Sequence, residues 1–181
     1  MLNASVQADP SRRLKTRKRP QQVARLGLWL FVINLGIALG AGLYEAQILF
    51  PQWLVTLPGS GYEWQAAAAR EANVGLRFWV YVTTIPLTLL TLANAIAASR
   101  RRGTLRRWWF AAVGLAVMDR AATFSYFVPT MLALMEGNLA QAQAVEIALQ
   151  WEHLNVFRHL VVLLAWLAAL KTFSLIYQQD A

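Results

Sequence analysis

Ionisable side chains lie inside long apolar stretches of this sequence, where such side chains are seldom tolerated. Glu45 lies in the first apolar stretch, Asp119 and Arg120 lie in the third, and Arg158 and His159 lie in the fourth. A charged side chain at the centre of a membrane helix costs about 2.5–3.5 kcal/mol on insertion scales, so these groups usually pair or serve a function. A histidine or a carboxylate shielded from water can act as a general base, and an arginine can stabilise an oxyanion. The residue types therefore indicate a binding or catalytic pocket, a set of structural ion pairs, or an ion or proton path.

The four apolar stretches that hold these residues are each long enough to cross a membrane as a helix. Hydrophobic residues make up 57% of the 181 residues and charged residues only 14%, against roughly 25% charged in typical globular domains. Because a helix needs about 20 apolar residues to cross the hydrocarbon core, we expect a transmembrane domain at 26–177, with spans at about 26–50, 74–98, 108–135 and 151–176. The sequence therefore predicts an all-α fold, a transmembrane four-helix bundle of up-down topology in which consecutive spans are neighbours.

Basic residues are concentrated in two segments. Residues 1–25 hold seven arginines and lysines, and residues 100–107 hold five, out of seventeen in the chain. The positive-inside rule places both segments, and with them both termini, in the cytoplasm. We expect 1–25 to be a disordered basic tail that attracts anionic lipids, and the protein to lie in a bacterial inner (plasma) membrane. Because the charge follows the topology, it does not indicate a nucleic-acid surface.

The connection after the first span contains turn residues, and the second span contains a proline. A loop is expected around residues 58–61, followed by a short interfacial helix at 62–72. Pro86 should kink the second span and free a backbone carbonyl. We expect Thr83, Thr84 or a neighbouring helix to satisfy that carbonyl.

The up-down order places the intramembrane polar residues in the same half of the bundle. The outer half contains the ends of the first and third spans and the starts of the second and fourth. A polar cluster open to the outer face is expected, built from Glu45, Arg77, Tyr126, Glu152, His153, Asn155, Arg158 and His159, with Asp119 and Arg120 at mid-depth. Trp151, Asn155 and Arg158 share one helical stripe, and Glu152, Asn155 and His159 share an overlapping one. Glu45 and Asp119 can pair with Arg77, Arg120 or Arg158.

The sequence carries no motif for a metal or a cofactor. His153 and His159 are six residues apart, on different faces of a helix, and no HExxH motif occurs. A nucleophile elbow and a glycine-rich phosphate loop are also missing. Because the sequence has no cysteine, thiolate metal sites and c-type haem attachment are excluded. We therefore expect neither a metal nor a cofactor.

Three short motifs, each in a different span, resemble those of a known family. They are Gly42-x-Tyr44-Glu45 followed by Pro51-x-Trp53, then Val128-Pro129-Thr130, and finally Trp151-x-x-x-Asn155-x-x-Arg158. In this order and in these helices they resemble the anthrone-oxygenase-like (DUF1772) family of small four-helix membrane proteins, over most of the chain after residue 25. Met131 departs from the family's pattern, in which an asparagine often follows the Pro-Thr pair.

The resemblance implies a cofactor-independent oxygenase, since characterised members of that family oxidise anthrones to anthraquinones with dioxygen. A base must remove an acidic proton from the aromatic substrate, and a cation must stabilise the resulting oxyanion. The catalytic residues expected on this basis are Glu45 or His159 as the base, with Arg158 and Asn155 as oxyanion contacts. The expected substrate contacts are Trp151 and Tyr126 as a ring platform, with Tyr44, Arg77 and Arg120.

A non-enzymatic membrane subunit or assembly protein is the alternative function. In that protein the buried charges would pair and fix the helix register, and the basic tail would bind lipid or a protein partner. A small transporter is favoured less, because no internal repeat or pair of interrupted helices occurs. A pocket should show a cavity beside Glu45 and Arg158, whereas a structural cluster should be closed and fully paired. The oligomeric state stays open.

Overall fold

Four long apolar helices dominate the computed structural model, which describes residues 10–59 and 61–178. The four helices long and apolar enough to cross a membrane are Gln21–Trp53, Gly75–Ser99, Gly103–Glu136 and Gln141–Gln178, here named the first to fourth spans. Their outward apolar side chains, such as Leu30, Leu89 and Leu164, are about half exposed. The predicted all-α architecture with four spans is confirmed, and it is compatible with an integral multi-pass membrane protein.

The spans combine α-helical and π-helical segments. In chain order the elements are α1 (Pro10–Tyr44), a π-helical segment (Glu45–Leu49), α2 (Phe50–Trp53), β1 (Leu54–Leu57), β2 (Gly61–Trp64), α3 (Ala66–Ala72), a second π-helical segment (Gly75–Thr84), α4 (Ile85–Ser99), α5 (Gly103–Ala122), a third π-helical segment (Thr123–Phe127), α6 (Val128–Glu136) and α7 (Gln141–Gln178).

The helix α1 begins earlier than the sequence predicts. It starts at Pro10, so it includes residues 10–25 of the segment that we expected to be a disordered tail. Residues 1–9 of that tail lie outside the described residues. Arginine, lysine and glutamine are good helix formers, and extending an existing helix costs far less than nucleating one. The membrane helix therefore extends into the basic segment.

A β-hairpin occupies part of the connection that the sequence predicts to be a loop and a helix. The strands β1 and β2 pair antiparallel, with Leu54 opposite Trp64. Only Ala66–Ala72 of the predicted helix at 62–72 is helical. Strands of four residues are too short to show a clear alternating pattern. The expected turn is present, however. Gly59 lies in it with a φ of 94°, which glycine adopts without strain.

The first span packs against the second and fourth, and the third packs against the second and fourth. At one end, which we name the basic end, Arg25 and residues 100–107 lie together with the last turns of the fourth span. There the ring of Trp29 lies 4.7 Å from that of Phe173, and Asn94 bonds the carbonyl of Gly27 at 3.1 Å. The opposite end carries the two strands and α3, and we name it the hairpin end.

Two apolar clusters fill the bundle. The cluster at the basic end includes Leu28, Phe31, Leu35, Leu87, Trp109 and Ala165. The cluster at the hairpin end is aromatic and includes Phe50, Trp53, Trp64, Phe127 and Trp151. Alanines recur among the buried residues of the third and fourth spans, and small residues let membrane helices approach closely. Polar residues from three of the spans lie between these two clusters.

Each π-helical segment ends just before a proline. Pro51, Pro86 and Pro129 are the second residues of the α-helices that follow. A proline lacks an N–H and clashes with the carbonyl four residues earlier, which favours a widened turn at that point. For Pro86 this carbonyl belongs to Val82, and the Asn34 amide of the first span donates to it at 2.8 Å. The freed carbonyl is thus satisfied by a neighbouring helix, one of the predicted alternatives.

Candidate functional site

Six polar side chains from three spans form a cluster between the two apolar clusters. We define this polar cluster as Glu45, Asp119, Arg120, Asn155, Arg158 and His159. Four of its members are buried, with 6% of Glu45, 2% of Asp119, 1% of Asn155 and 9% of His159 exposed. Arg158 interacts electrostatically with Glu45, Asp119 and Arg120, and His159 interacts with Arg158 and Asp119. The structure therefore brings together charged residues that are far apart in sequence.

Glu45 is held in place by a residue of the second span. The indole Nε1 of Trp79 donates to Oε1 of Glu45 at 3.1 Å. Glu45 begins the first π-helical segment, and Trp79 lies within the second. Single π-helical turns redirect side chains and are frequent at functional sites. Trp79 carries no signal in the sequence that distinguishes it from an interfacial anchor, the ordinary role of a tryptophan near the end of a span.

Asp119 and Arg120, adjacent in the sequence, form an ion pair. Nε of Arg120 donates to Oδ2 of Asp119 at 3.0 Å, and Nη2 donates to the same oxygen at 2.5 Å. The second carboxylate oxygen, Oδ1, is buried and has no hydrogen-bond partner among the described residues, and neither has Nη1 of Arg120. The pair is therefore only partly satisfied, and both residues keep hydrogen-bonding capacity inside the bundle.

Asn155 and His159 lie one turn apart on α7 and present further polar atoms without partners. Within the described part of the chain, both amide atoms of Asn155 and Nε2 of His159 are buried and make no hydrogen bond. Leaving a buried donor or acceptor unsatisfied costs about 1–3 kcal/mol, so such groups are few in folded proteins. The buried stripe runs through Trp151, Asn155 and His159. It therefore combines members of the two predicted stripes and leaves out Arg158 and Glu152. Arg158 is only half-buried.

A glycine on the first span makes room for the imidazole of His159. A Cβ atom built on Gly42 would lie 2.5 Å from Nε2 of His159 and 3.0 Å from its Cδ2. Gly40, two residues earlier, would carry a Cβ with no heavy atom within 4 Å. Because small residues allow close approach of membrane helices, Gly42 fixes how near the first span comes to His159.

Arg158 packs on an aromatic ring at the edge of the polar cluster. Its guanidinium carbon lies 4.6 Å from the centre of the Phe127 ring, a cation–π geometry. Among the described residues, the ion pair within 4.0 Å is the one between Asp119 and Arg120. Arg158 therefore acts on Glu45 and Asp119 through space, and its N–H groups are not committed to either carboxylate.

Aromatic residues cover the polar cluster at the hairpin end. Trp151 stacks on Phe50 with ring centres 5.2 Å apart and an interplanar angle of 7°, and its Nε1 donates to the carbonyl of Phe127 at 3.2 Å. Tyr126 meets Phe127 edge to face at 5.3 Å, and its buried hydroxyl has no partner among the described residues. The hairpin end of the polar cluster is therefore filled by Trp151 and its neighbours, because a large indole gains most by packing in the aromatic cluster.

Two residues predicted to contact a substrate lie away from the polar cluster. Tyr44 is 57% exposed on the outside of the first span. Arg77 is also exposed, and it makes no ion pair with any described residue. His153 points outward as well. Adjacent residues in a helix differ in direction by about 100°, so Tyr44 faces away when Glu45 faces inward.

The described residues contain no group of three histidine, aspartate or glutamate side chains that could hold a metal ion. Two cavities in this part of the chain lie away from the polar cluster, one at the basic end between α1 and α4 and one beside Arg70 and Glu71. What distinguishes the polar cluster is therefore its buried polar atoms without partners.

Comparison with protein families, curated proteins and solved structures found no match to this chain. The resemblance to the anthrone-oxygenase-like family therefore stays a prediction that rests on the three motifs.

Proposed function

We propose that this chain is an integral membrane protein that binds an aromatic or lipid-like small molecule at the polar cluster. The proposal rests on the buried polar atoms without partners, chiefly the Asn155 amide and Nε2 of His159. A ligand with hydroxyl or carbonyl oxygens would satisfy these donors and acceptors. Small-molecule sites commonly combine an apolar, aromatic wall with a few convergent polar groups, and Phe127 and Trp151 provide such a wall.

The orientation that we propose is up-down, with the basic end in the cytoplasm of a bacterial inner membrane. Twelve of the seventeen basic residues lie in the segments 1–25 and 100–107. An excess of lysine and arginine in short loops marks the cytoplasmic side. In this orientation the polar cluster lies in the outer half of the bilayer.

A ligand would reach the polar cluster from the side of the bundle. The aromatic cluster and the hairpin cover the hairpin end, whereas Arg120, with 13% of its side chain exposed, and the half-buried Arg158 and Tyr126 reach the lateral surface. Apolar side chains such as Phe124 surround them on the outside. Because that surface faces hydrocarbon in a membrane, the route favours a ligand that partitions into the bilayer.

The reaction that we propose is oxygenation of an anthrone-like substrate by dioxygen without a cofactor. His159 or Glu45 removes a proton from the acidic methylene carbon, and Arg158 and the Asn155 amide stabilise the enolate oxygen. The electron-rich anion is then oxidised by dioxygen. In the overall balance one anthrone and one dioxygen give one anthraquinone and one water. One oxygen atom becomes the new carbonyl, and the other leaves with the two methylene hydrogens.

A non-enzymatic membrane subunit is the second candidate, and two observed pairings favour it. Asp119 pairs with Arg120, and Glu45 accepts a hydrogen bond from Trp79. Both contacts satisfy polar groups of the cluster from within the protein, as expected for a cluster that stabilises the fold. In this case a protein partner would complete the hydrogen bonding of Asn155 and His159.

The decisive experiment is oxygen uptake by the protein in lipid nanodiscs with anthrone as the probe. We expect uptake above the spontaneous rate, with one anthraquinone formed per dioxygen. Removing a donor to an oxyanion costs about 100–1,000-fold in rate, so Asn155→Leu and Arg158→Gln should lose nearly all of the catalysed uptake. Arg77→Gln, which removes an exposed arginine, is the matched control and should keep it.

The outcomes separate the binding proposal from the oxygenase proposal. Suppose that the wild type binds anthrone without catalysing oxygen uptake, and that Asn155→Leu abolishes the binding. This result would support the binding site and contradict the oxygenase proposal. If the protein neither binds anthrone nor catalyses oxygen uptake, both proposals are contradicted. An Arg158→Gln protein that fails to accumulate in the membrane would favour the structural candidate.

A further inference from the structure

A groove of about 500 Å³ lies at the basic end of the bundle, between α1 and α4 and far from the polar cluster. Its wall is formed by small and apolar residues, among them Ala24, Gly27, Ala93 and Ala97. Arg100 and Arg101 line the same groove at the point where α4 ends. The groove therefore combines an apolar slot with two cationic side chains at one end.

The groove exists because its walls are small and the two helices are tied together beside it. A Cβ atom built on Gly27 would meet no heavy atom within 4 Å. Nδ2 of Asn94 donates to the carbonyl of Gly27 at 3.1 Å, and Oδ1 accepts a bond of 2.9 Å from Nε1 of Trp109. These bonds hold the helices at a fixed separation, so the slot is part of the folded bundle.

The end of the groove is strongly basic and has no carboxylate near it in the described part of the chain. Arg102 follows in the same turn, and Arg106 and Arg107 lie near the start of α5. The described carboxylates lie in the polar cluster or toward the hairpin end, at Glu45, Glu63, Glu71, Asp119, Glu136, Glu146 and Glu152. The guanidinium of Arg101 lies 5.9 Å from the centre of the Trp109 ring. Trp108, beside the same arginines, is 41% exposed. Exposed tryptophans concentrate at the level of lipid headgroups, which is where a phosphate would lie.

We propose that this groove binds one anionic phospholipid. Its phosphate lies between Arg100 and Arg101, and one acyl chain lies along Gly27, Ala93 and Ala97. Arginine recognises phosphate through two parallel hydrogen bonds, and the apolar slot takes the chain. A zwitterionic lipid offers the same chain but no net charge, so charge complementarity selects the anionic lipid. The site is independent of the polar cluster and of the proposed oxygenase.

Native mass spectrometry of the full chain in mild detergent tests whether Arg100 and Arg101 bind the lipid phosphate. The probes are phosphatidylglycerol and phosphatidylcholine with the same acyl chains. We expect one retained phosphatidylglycerol per protein and little phosphatidylcholine. A basic residue near the surface contributes about fivefold to anionic lipid binding, so Arg100→Gln combined with Arg101→Gln should weaken it roughly 30-fold. The matched control combines Arg106→Gln with Arg107→Gln. It removes the same charge from the start of α5, outside the groove, and should weaken binding by less than about twofold, because salt screens charges that do not contact the lipid.

Filling the slot tests the acyl-chain part of the site without changing charge. Gly27→Leu should abolish the retained phosphatidylglycerol, and Ala97→Leu should act in the same way. Gly114→Leu is the control, because a Cβ there also meets no heavy atom within 4 Å and Gly114 lies outside the groove. The proposal is overturned if both arginine pairs lose the lipid equally, if both filled variants bind it like the wild type, or if phosphatidylcholine is retained equally.

Discussion

Two buried asparagines differ in their hydrogen bonding, and the difference tests whether the polar cluster is a ligand site or a structural cluster. Asn94 and Asn155 are each only 1% exposed. Asn94 makes three hydrogen bonds, whereas neither amide atom of Asn155 has a partner among the described residues. We therefore compare Asn155→Leu with Asn94→Leu, a pair of substitutions with the same change in size and polarity.

The two substitutions should differ by about 2–3 kcal/mol in the free energy of unfolding. Asn94→Leu leaves the Trp109 N–H unsatisfied, at about 1–3 kcal/mol in soluble proteins, and removes the interhelical bond to the Gly27 carbonyl. Interhelical hydrogen bonds in membranes average about 0.6 kcal/mol, so we take roughly 2 kcal/mol for the whole loss. Asn155→Leu removes no hydrogen bond in the ligand-free protein. It should be neutral or stabilising by up to about 1 kcal/mol, because an unpaired amide leaves the interior.

The assay is reversible unfolding in mixed micelles, followed by circular dichroism, on protein freed of bound small molecules by extensive washing. Anthrone binding is measured on the same samples. We expect Asn155→Leu to be as stable as the wild type and to have lost binding, and Asn94→Leu to be less stable with binding retained once folded. Equal destabilisation by the two substitutions would show that the Asn155 amide is bonded within the protein, and the argument for a ligand site would fail.

Three further substitutions test contacts around the polar cluster, each by the free energy of unfolding. Gly42→Ala should be less stable than Gly40→Ala by about 1–3 kcal/mol, because only the first forces a methyl group into an imidazole; equal stability would contradict the packing at Gly42. Trp79→Phe should cost about 1.5–3 kcal/mol through the lost hydrogen bond to Glu45, and almost nothing once Glu45→Leu has removed the acceptor; an undiminished cost would mean that the bond contributes little. Asn34→Val should cost about 1–3 kcal/mol, because it removes the donor to the Val82 carbonyl that the proline has freed. No effect would mean that another donor replaces Asn34.

The spans and most of the polar cluster could be predicted from the sequence. The spans follow from the length of the apolar stretches, and the cluster follows from the level of each polar residue along its span. Apolar length alone located the four spans, and their alternating direction brought Glu45 and Arg158 to one level of the bundle. Burial of a charge in a membrane is costly enough that residues such as Asp119 and His159 stood out without any knowledge of the fold.

Details that depend on local backbone geometry could not be predicted. The π-helical segments change which residues face inward, so Trp79 reaches Glu45 while Tyr44 and Arg77 face outward. The hairpin was missed because its strands are only four residues long. The position of Trp151 between Phe50 and Phe127 was also missed, because it depends on the packing of three distant segments.

The most direct test of a ligand site at the polar cluster is an experimental structure of the protein in lipid nanodiscs with anthrone added. We expect density for the ligand within hydrogen-bond distance of the Asn155 amide and of Nε2 of His159, with its ring system beside Phe127. A structure in which Asn155 and His159 instead bond neighbouring protein groups, with no density between the third and fourth spans, would rule out the ligand site and favour a structural role for the cluster.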